Sequence, residues 1–290
     1  MRYGRVAPWL FVLPTIVGLA LFRVGPIVAA FLVSFTRWNV ISSPQWQGLA
    51  NYRELMSSEI FWRVLKNTVL FSVTYVPGVM VCGLFLAILV NTKLKGITFF
   101  RGLYYLPVIT STVAIGVVWS WILSPRFGVL PRILNNLGVM NVPSFLGDSR
   151  YALLTLVVVY IWKMSGYHMI LFLAGLQNIP EVYYEAAKID GATPWQLLRH
   201  VTLPLLSTTT FFIMIIALIQ SLQTFDLTFA MTEGGPNNAS ATLSFFTYVN
   251  AFVHFRMGYA ASMAFVLFLI VGSITLANFW ARKYWVSTLD

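Results

Sequence analysis

The residue types that could carry bond chemistry are present in this chain but never gathered. His168, His200 and His254 fall in three different segments, and none has a second metal-ligating residue three or four positions on, the spacing that closes a site from one helix. No lysine follows a glycine, so the Gly-Lys pair of a P-loop is missing and the chain does not hold ATP by that route. The single cysteine, Cys82, can form no intrachain disulfide. Asn238-Ala239-Ser240 fits a glycosylation acceptor, a three-residue pattern common enough by chance to carry nothing. No cofactor, no metal and no enzyme activity is expected of this chain.

The polar residues that stand out do so by where they fall. Tyr160, Lys163, Met164 and Tyr167 recur at i, i+3, i+4 and i+7 inside an apolar run, and therefore share one helix face. Gln220, Ser221 and Thr224 do the same relative to Ala217 in another run. Polar groups at such positions are costly unless they meet a cavity or each other, so the two faces are candidates for the lining of a path through the protein. The alternative is that Lys163 snorkels or pairs with an acid such as Asp226, and that the rest is helix packing.

These faces need elements to hold them, and the composition says of what kind. With 58% hydrophobic residues and 10% charged, at a mean hydropathy of +0.77, the chain has too little polar surface to coat a soluble protein of 290 residues. Backbone groups in lipid must be satisfied internally, and the long Leu, Phe, Val and Ile runs exceed the alternating ten-residue strands of a barrel. The expected fold is an all-α polytopic membrane protein with six transmembrane helices. The spans are placed near Pro8 to Phe35, Thr68 to Val90, Leu103 to Leu123, Tyr151 to Leu173, Leu205 to Ala230 and Tyr259 to Ala281, with a short helix at Leu130 to Leu137. No internal repeat or second soluble domain interrupts residues 1–290, which read as one permeation domain.

Arg2 and Arg5 before an apolar stretch, with Val28-Ala29-Ala30 beyond it, also suit a cleaved leader. Arg23, Pro26 and the continuation to Phe35 favour a retained first span instead. With both termini inside, the inner segments carry Arg2, Arg5, Lys93, Lys95, Arg101, Lys188, Arg199, Arg282 and Lys283. The outer ones carry Arg37, Arg53, Arg63, Lys66, Arg126, Arg132, Arg150 and Arg256. The inner segments are shorter than the outer ones, so the density of positive charge leans towards termini inside. The net charge of +10 is met by residues near lipid headgroups, and no continuous basic stripe points to nucleic acid.

One stretch between apolar runs is polar and helix-like. Asn178 or Ile179 opens a helix with Pro180 in its first turn, running to about Asp190; Gly191 supplies the turn that other residues resist. Thr193 with Gln196 three residues on reads as a capping box, with Pro194 at the first helical position. The product is helix, glycine turn, helix, slim on one side at Ala186, Ala187 and Ala192, where another protein's groove could approach closely. A second turn-forming stretch, Glu233-Gly234-Gly235-Pro236-Asn237-Asn238, follows the fifth span.

The spacing Glu185-Ala186-Ala187, Gly191, Val201, Leu203-Pro204 resembles the cytoplasmic coupling loop of binding-protein-dependent ABC importer permeases, with Val201 where Ile is commoner. Phe225-Asp226-Leu227-Thr228 through Leu243, with Tyr248, Gly258-Tyr259-Ala260-Ala261-Ser262, Ser34-Phe35-Thr36-Arg37-Trp38 and Gly48-Leu49-Ala50-Asn51-Tyr52, is similar to the carbohydrate branch of that family, and to its maltose and glycerol-phosphate type first permease. The resemblance implies a type I ABC importer permease fold and ATPase coupling through residues 177–204, carried by Glu185, Ala186, Ala187, Asp190, Gly191, Ala192 and Pro204. It further implies a second homologous permease, two ATPase subunits that hold ATP and Mg, and an extracytoplasmic solute-binding protein met at Gly234, Gly235 and Pro236. Tyrosines on the inner faces would then stack on sugar rings while Gln220, Ser221 and Thr224 bind hydroxyls. Arg23 and Lys163 are charges the family pattern does not require. An ion-coupled secondary transporter using Arg23, Lys163 and Asp226 is the competing reading, and it leaves the Glu-Ala-Ala loop unexplained.

Overall fold

The computed structural model describes residues 7–92, 94–139 and 141–284; Arg2, Arg5 and Lys93, counted among the inner charges, lie outside the described residues. Four helices are long and apolar enough to cross a membrane: Phe11–Val33, Glu59–Val90, Ala152–Gln177 and Met257–Ala281. Two further spans are each a bent pair. Ile97–Ile109 meets Thr112–Ile122 at 94°, and Pro194–Leu205 meets Ser207–Leu222 at 70°. Six spans are reached when each bent pair counts as one.

Those bends correct the continuous third and fifth spans expected from sequence. In the third, Pro107 has no amide to give the preceding turn, and Thr110 then takes an extended conformation (φ −77, ψ 141) that ends the helix. In the fifth, Pro204 follows a π turn over Leu198–Thr202 in which the amide of Leu203 reaches back to Leu198. Proline and π turns are the usual causes of sharp kinks. The fifth span also ends at Leu222; Asp226–Met231 is a separate short helix. The first span also carries a π turn, Ala20–Val24, where Pro26 follows and the amide of Gly25 bonds the carbonyl of Ala20.

The chain divides into two compact units, residues 1–61 with 247–269 and residues 62–246 with 270–290. In the first, the helix Phe11–Val33 has no buried residue among its described side chains. It is followed by a two-residue antiparallel ladder, Thr36–Arg37 with Gln45–Trp46, a small exception to the all-α expectation. Asn51 Nδ2 donates to the carbonyls of Ser34 (2.8 Å) and Thr36 (2.9 Å), and the backbone amide of Met257 donates to the carbonyl of Trp38 (2.9 Å), which ties this hairpin to the start of the last span.

In the second unit, the helix Ala152–Gln177 is the centre. Its Leu156 and Val157 pack with Phe71 and Tyr75 of the second span, Ala217 of the fifth and Leu227 beyond it. Lower down, Met169, Phe172 and Leu173 meet Ala87, Leu206 and Ile213. Gly166 lets the first arm of the third span come to backbone contact, since a Cβ there would run into the carbonyl oxygen of Tyr104. Close approach through small residues is how membrane helices gain packing when lipid already matches their hydrophobicity.

Candidate coupling loop and substrate path

The loop after the fourth span folds as its local chemistry dictates. The helix runs Glu181–Ile189, with Pro180 at the N-cap rather than inside the first turn, because its ψ of 134 is extended. At the other end the amide of Gly191 donates to the carbonyl of Lys188 (3.0 Å) and that of Ala192 to Ala187 (2.9 Å). This paired closure is a Schellman turn, and it requires the φ of +78 that Gly191 adopts. Thr193 then caps Pro194–Leu197 with both halves of the capping box in place: the amide of Gln196 donates to Thr193 Oγ1, and the amide of Thr193 donates to Gln196 Oε1 at 2.8 Å. The Tyr184 hydroxyl lies 3.1 Å from Thr202 Oγ1, joining the first helix to the π turn that follows.

Glu185, Ala186, Asp190, Gly191 and Pro204 are exposed, and Ala187 and Ala192 half-buried. Between the two short helices is a hollow of about 260 Å³ lined by Ala187, Asp190, Gly191, Ala192, Gln196 and His200. Large apolar side chains stand out around it: Ile189 is 86% exposed and Trp195 67%. A second hollow, of about 600 Å³, has Glu185 and Lys188 on one wall and Arg101 on the other. Sequence reasoning did not find Arg101 there; its Nη2 donates to the carbonyl of Val90 at 2.8 Å, a contact no local spacing announces.

The two candidate faces of the path are brought into one core but differ in what they offer. Tyr160 packs its ring on Tyr75 (centroids 4.8 Å apart) and Phe71 (5.8 Å), and Met164 joins the same apolar cluster as Ala217 and Leu218. Tyr167 is half-buried against the ring of His168. Lys163, 4% exposed, donates to the carbonyls of Pro107 and Val108 at 3.3 Å each. No ion pair joins it to Asp226 among the described residues. Ser221 donates to the carbonyl of Leu218 (2.8 Å), and Thr224 is buried with its carbonyl bonded by Thr242. Gln220 alone of these residues has a buried polar atom, Oε1, with no protein partner, and His168 Nε2 and the Tyr75 hydroxyl share that condition.

The turn after Asp226–Met231 is tightly built. Glu233, Gly234, Asn237 and Asn238 all take positive φ, Gly235-Pro236 is cis, and Gly234 is buried under Phe245. Asn67 Nδ2 of the second span donates to the carbonyls of Asn238 (2.8 Å) and Ala241 (3.1 Å), and the amide of Leu243 donates to Thr68 Oγ1 (2.8 Å). Gly235 and Pro236 are half-buried; Glu233 and Asn237 are the exposed members.

The family model described as "Binding-protein-dependent transport system inner membrane component" matches residues 79–284. The chain belongs to that family. The permease is similar to the probable ABC transporter permease protein YesP of Bacillus subtilis (strain 168), with 36% identity over 290 residues covering 99% of this chain and 93% of YesP. It is also similar to the lactose transport system permease protein LacF of Rhizobium radiobacter, with 34% identity over 287 residues and coverage of 97% and 96%. A crystal structure of a bacterial ABC transporter involved in the import of the acidic polysaccharide alginate contains a chain with a TM-score of 0.81 to this one, at 25% identity over 96% of each. The permease is thus a multi-pass membrane component of a transport system with a type I importer permease fold. Among its described residues no group of three or more His, Cys, Asp or Glu side chains is placed to hold a metal ion.

Proposed function

We infer that this permease forms the membrane pathway of an ATP-driven importer for a saccharide, in the cytoplasmic membrane with both termini inside. ATP and Mg sit on two partner ATPase subunits, a second homologous permease completes the pathway, and an extracytoplasmic solute-binding protein delivers the solute. The observation that carries the coupling role is the loop at 177–204: a fully capped helix pair that exposes Ile189 and Trp195 beside the hollow at Gly191. Large exposed apolar groups on an otherwise polar loop suit a protein partner. Glu185, Ala186, Ala187, Asp190, Gly191, Ala192 and Pro204 are proposed to seat in that partner. The saccharide class is supported by LacF and by the alginate transporter, and the first span, none of whose described residues is buried in this chain alone, suits lipid and a companion permease.

Closure of the ATPases would carry the loop as a rigid body and lever the helices on either side of it, Ala152–Gln177 and Ser207–Leu222, between inward-open and outward-open states. Inverting such populations takes a coupling of about 5.5 kcal/mol. The path is proposed to pass Tyr160, Met164, Tyr167, Gln220, Ser221 and Thr224, with the unpartnered oxygen of Gln220 meeting solute and Lys163 holding the wall in place. Gly234, Gly235 and Pro236 shape the turn offered to the binding protein. The test is uptake of labelled mono- to tetrasaccharides by proteoliposomes holding the assembled transporter. ATP inside the vesicles with loaded binding protein outside should be required. Uptake that persists without the ATPases and collapses with an uncoupler would make the chain an ion-coupled carrier instead.

A further inference from the structure

The first unit contains a cavity of about 770 Å³ between the hairpin at residues 36–47 and the turn at residues 254–259. Six crossings with the coupling loop inside put both segments on the outer side. The size falls within the range of small-molecule sites. Its wall is polar and only partly committed. Glu54 already holds Arg256, whose Nη2 lies 2.6 Å from both carboxylate oxygens and whose guanidinium covers the ring of Tyr259 at 4.4 Å. Arg37, Gln45 and His254, in contrast, have no side-chain hydrogen bond or ion pair among the described residues. Arg37 and Gln45 face each other directly across the antiparallel ladder. Cross-strand partners hold their Cβ atoms about 5 Å apart, so two planar groups with unspent polar atoms stand side by side.

The cavity is a product of the fold and is not a gap between loose loops. Asn51 fixes the hairpin through Ser34 and Thr36, and Met257 fixes it to the turn through Trp38. Phe255 (φ 52) on the wall, and Val40 (φ 71) next to the lining residue Asn39, are held in the left-handed region, which a β-branched or bulky residue rarely enters. Backbone of that kind persists where the surroundings over-determine it, a condition met most often at binding sites.

We propose that this cavity is a saccharide subsite on the outer face, where Arg37 and Gln45 bind hydroxyls of a sugar unit and Trp38 offers an apolar face to its ring. Planar amide and guanidinium groups present paired polar atoms that match vicinal hydroxyls, and an indole covers the C–H face of a sugar. The subsite shares no residue with those proposed for the membrane path, and it would hold solute on the outer side. It rests on the reading of this chain as part of a saccharide importer.

The test uses the assembled transporter in nanodiscs, without binding protein in one arm and with unloaded binding protein in a second, carrying Cys82→Ser and Ser42→Cys so that the one thiol on this chain lines the cavity rim. The probe is the labelled oligosaccharide that wild-type proteoliposomes take up, with one they do not take up as control. At several times its Kd, the cargo should slow maleimide labelling at position 42 by about fivefold, and Arg37→Ala with Gln45→Ala should abolish that protection while basal ATPase activity is kept. Labelling unaffected by saturating cargo overturns the proposal. Protection given by unloaded binding protein and by nothing else also overturns it, and makes the cavity a docking surface. Because wild-type uptake is measured first, failure of the importer reading is seen before and apart from failure at this cavity.

Discussion

The ammonium of Lys163 lies 3.3 Å from the carbonyl oxygen of Pro107, across from the point where the third span breaks. In a continuous helix the carbonyls of Pro107 and Val108 would accept the amides of Ser111 and Thr112. The extended conformation at Thr110 removes those partners, and a cation at a helix C-terminus replaces them with charge-assisted bonds. Lys163→Met leaves two buried acceptors unmet, at about 1–3 kcal/mol each. Transport should fall about tenfold or more with assembly retained, and spin labels at the exposed Leu103 and Val118 should report a broader distance distribution across the bend. Lys163→Arg should recover most of both. An unchanged distance distribution in Lys163→Met would remove the ammonium from any role in the bend.

Gly166 brings the fourth span against the third, and the atom its added Cβ would strike is backbone, which cannot swing aside. Gly166→Ala is expected to cost about 1–3 kcal/mol through overpacking and to lower the yield and thermal stability of the purified transporter. Gly102→Ala, with no atom within 4 Å of its would-be Cβ, should stay within about 0.5 kcal/mol. Equal melting temperatures for the two variants would contradict the backbone contact.

At Gly191 the space is open and only the dihedral angle resists a side chain. Gly191→Val should cost about 1–2 kcal/mol and turn the second short helix away, weakening co-purification of the ATPases. Gly191→Asn, which tolerates positive φ, should keep most of it. If both retain the ATPases equally, the Schellman turn does not set the docking geometry.

Asn67→Leu cuts the second span loose from the turn at Asn238 and Ala241. The stimulation of ATPase activity by loaded binding protein should drop severalfold, with basal activity near normal, since the coupling loop is untouched. Parallel loss of both activities would mean that the substitution damages the whole unit.

What could be read from the sequence was what the chain decides locally. Thr193 and Gln196 sit three residues apart, Gly191 follows a helix end, and the apolar runs have spanning length, so the capped loop and the six spans were legible. The breaks at Thr110 and Leu206 were not. Pro107 and Pro204 lie in sequence that stays apolar on both sides of the bend, and in membrane helices proline alone does not stop a span. What stabilises the first break is Lys163, 56 residues from Pro107, and what holds the turn after Met231 is Asn67, 171 residues from Asn238. The spacing put Lys163 on a face with Tyr160 and Met164 but said nothing of carbonyls on another helix.

The closed hydrogen bonding of the coupling loop bears on how quickly and how tightly its partner can engage. Since Gly191, Ala192, Thr193 and Gln196 fasten the two short helices to each other without outside help, the shape this loop would offer to the proposed ATPase partner exists before contact. Little backbone freedom is lost on association, so affinity need not be offset by folding of the loop. Recognition by such a loop would be lock-and-key, and a short mimetic peptide lacking the membrane helices would bind weakly unless cyclised to hold the same turn.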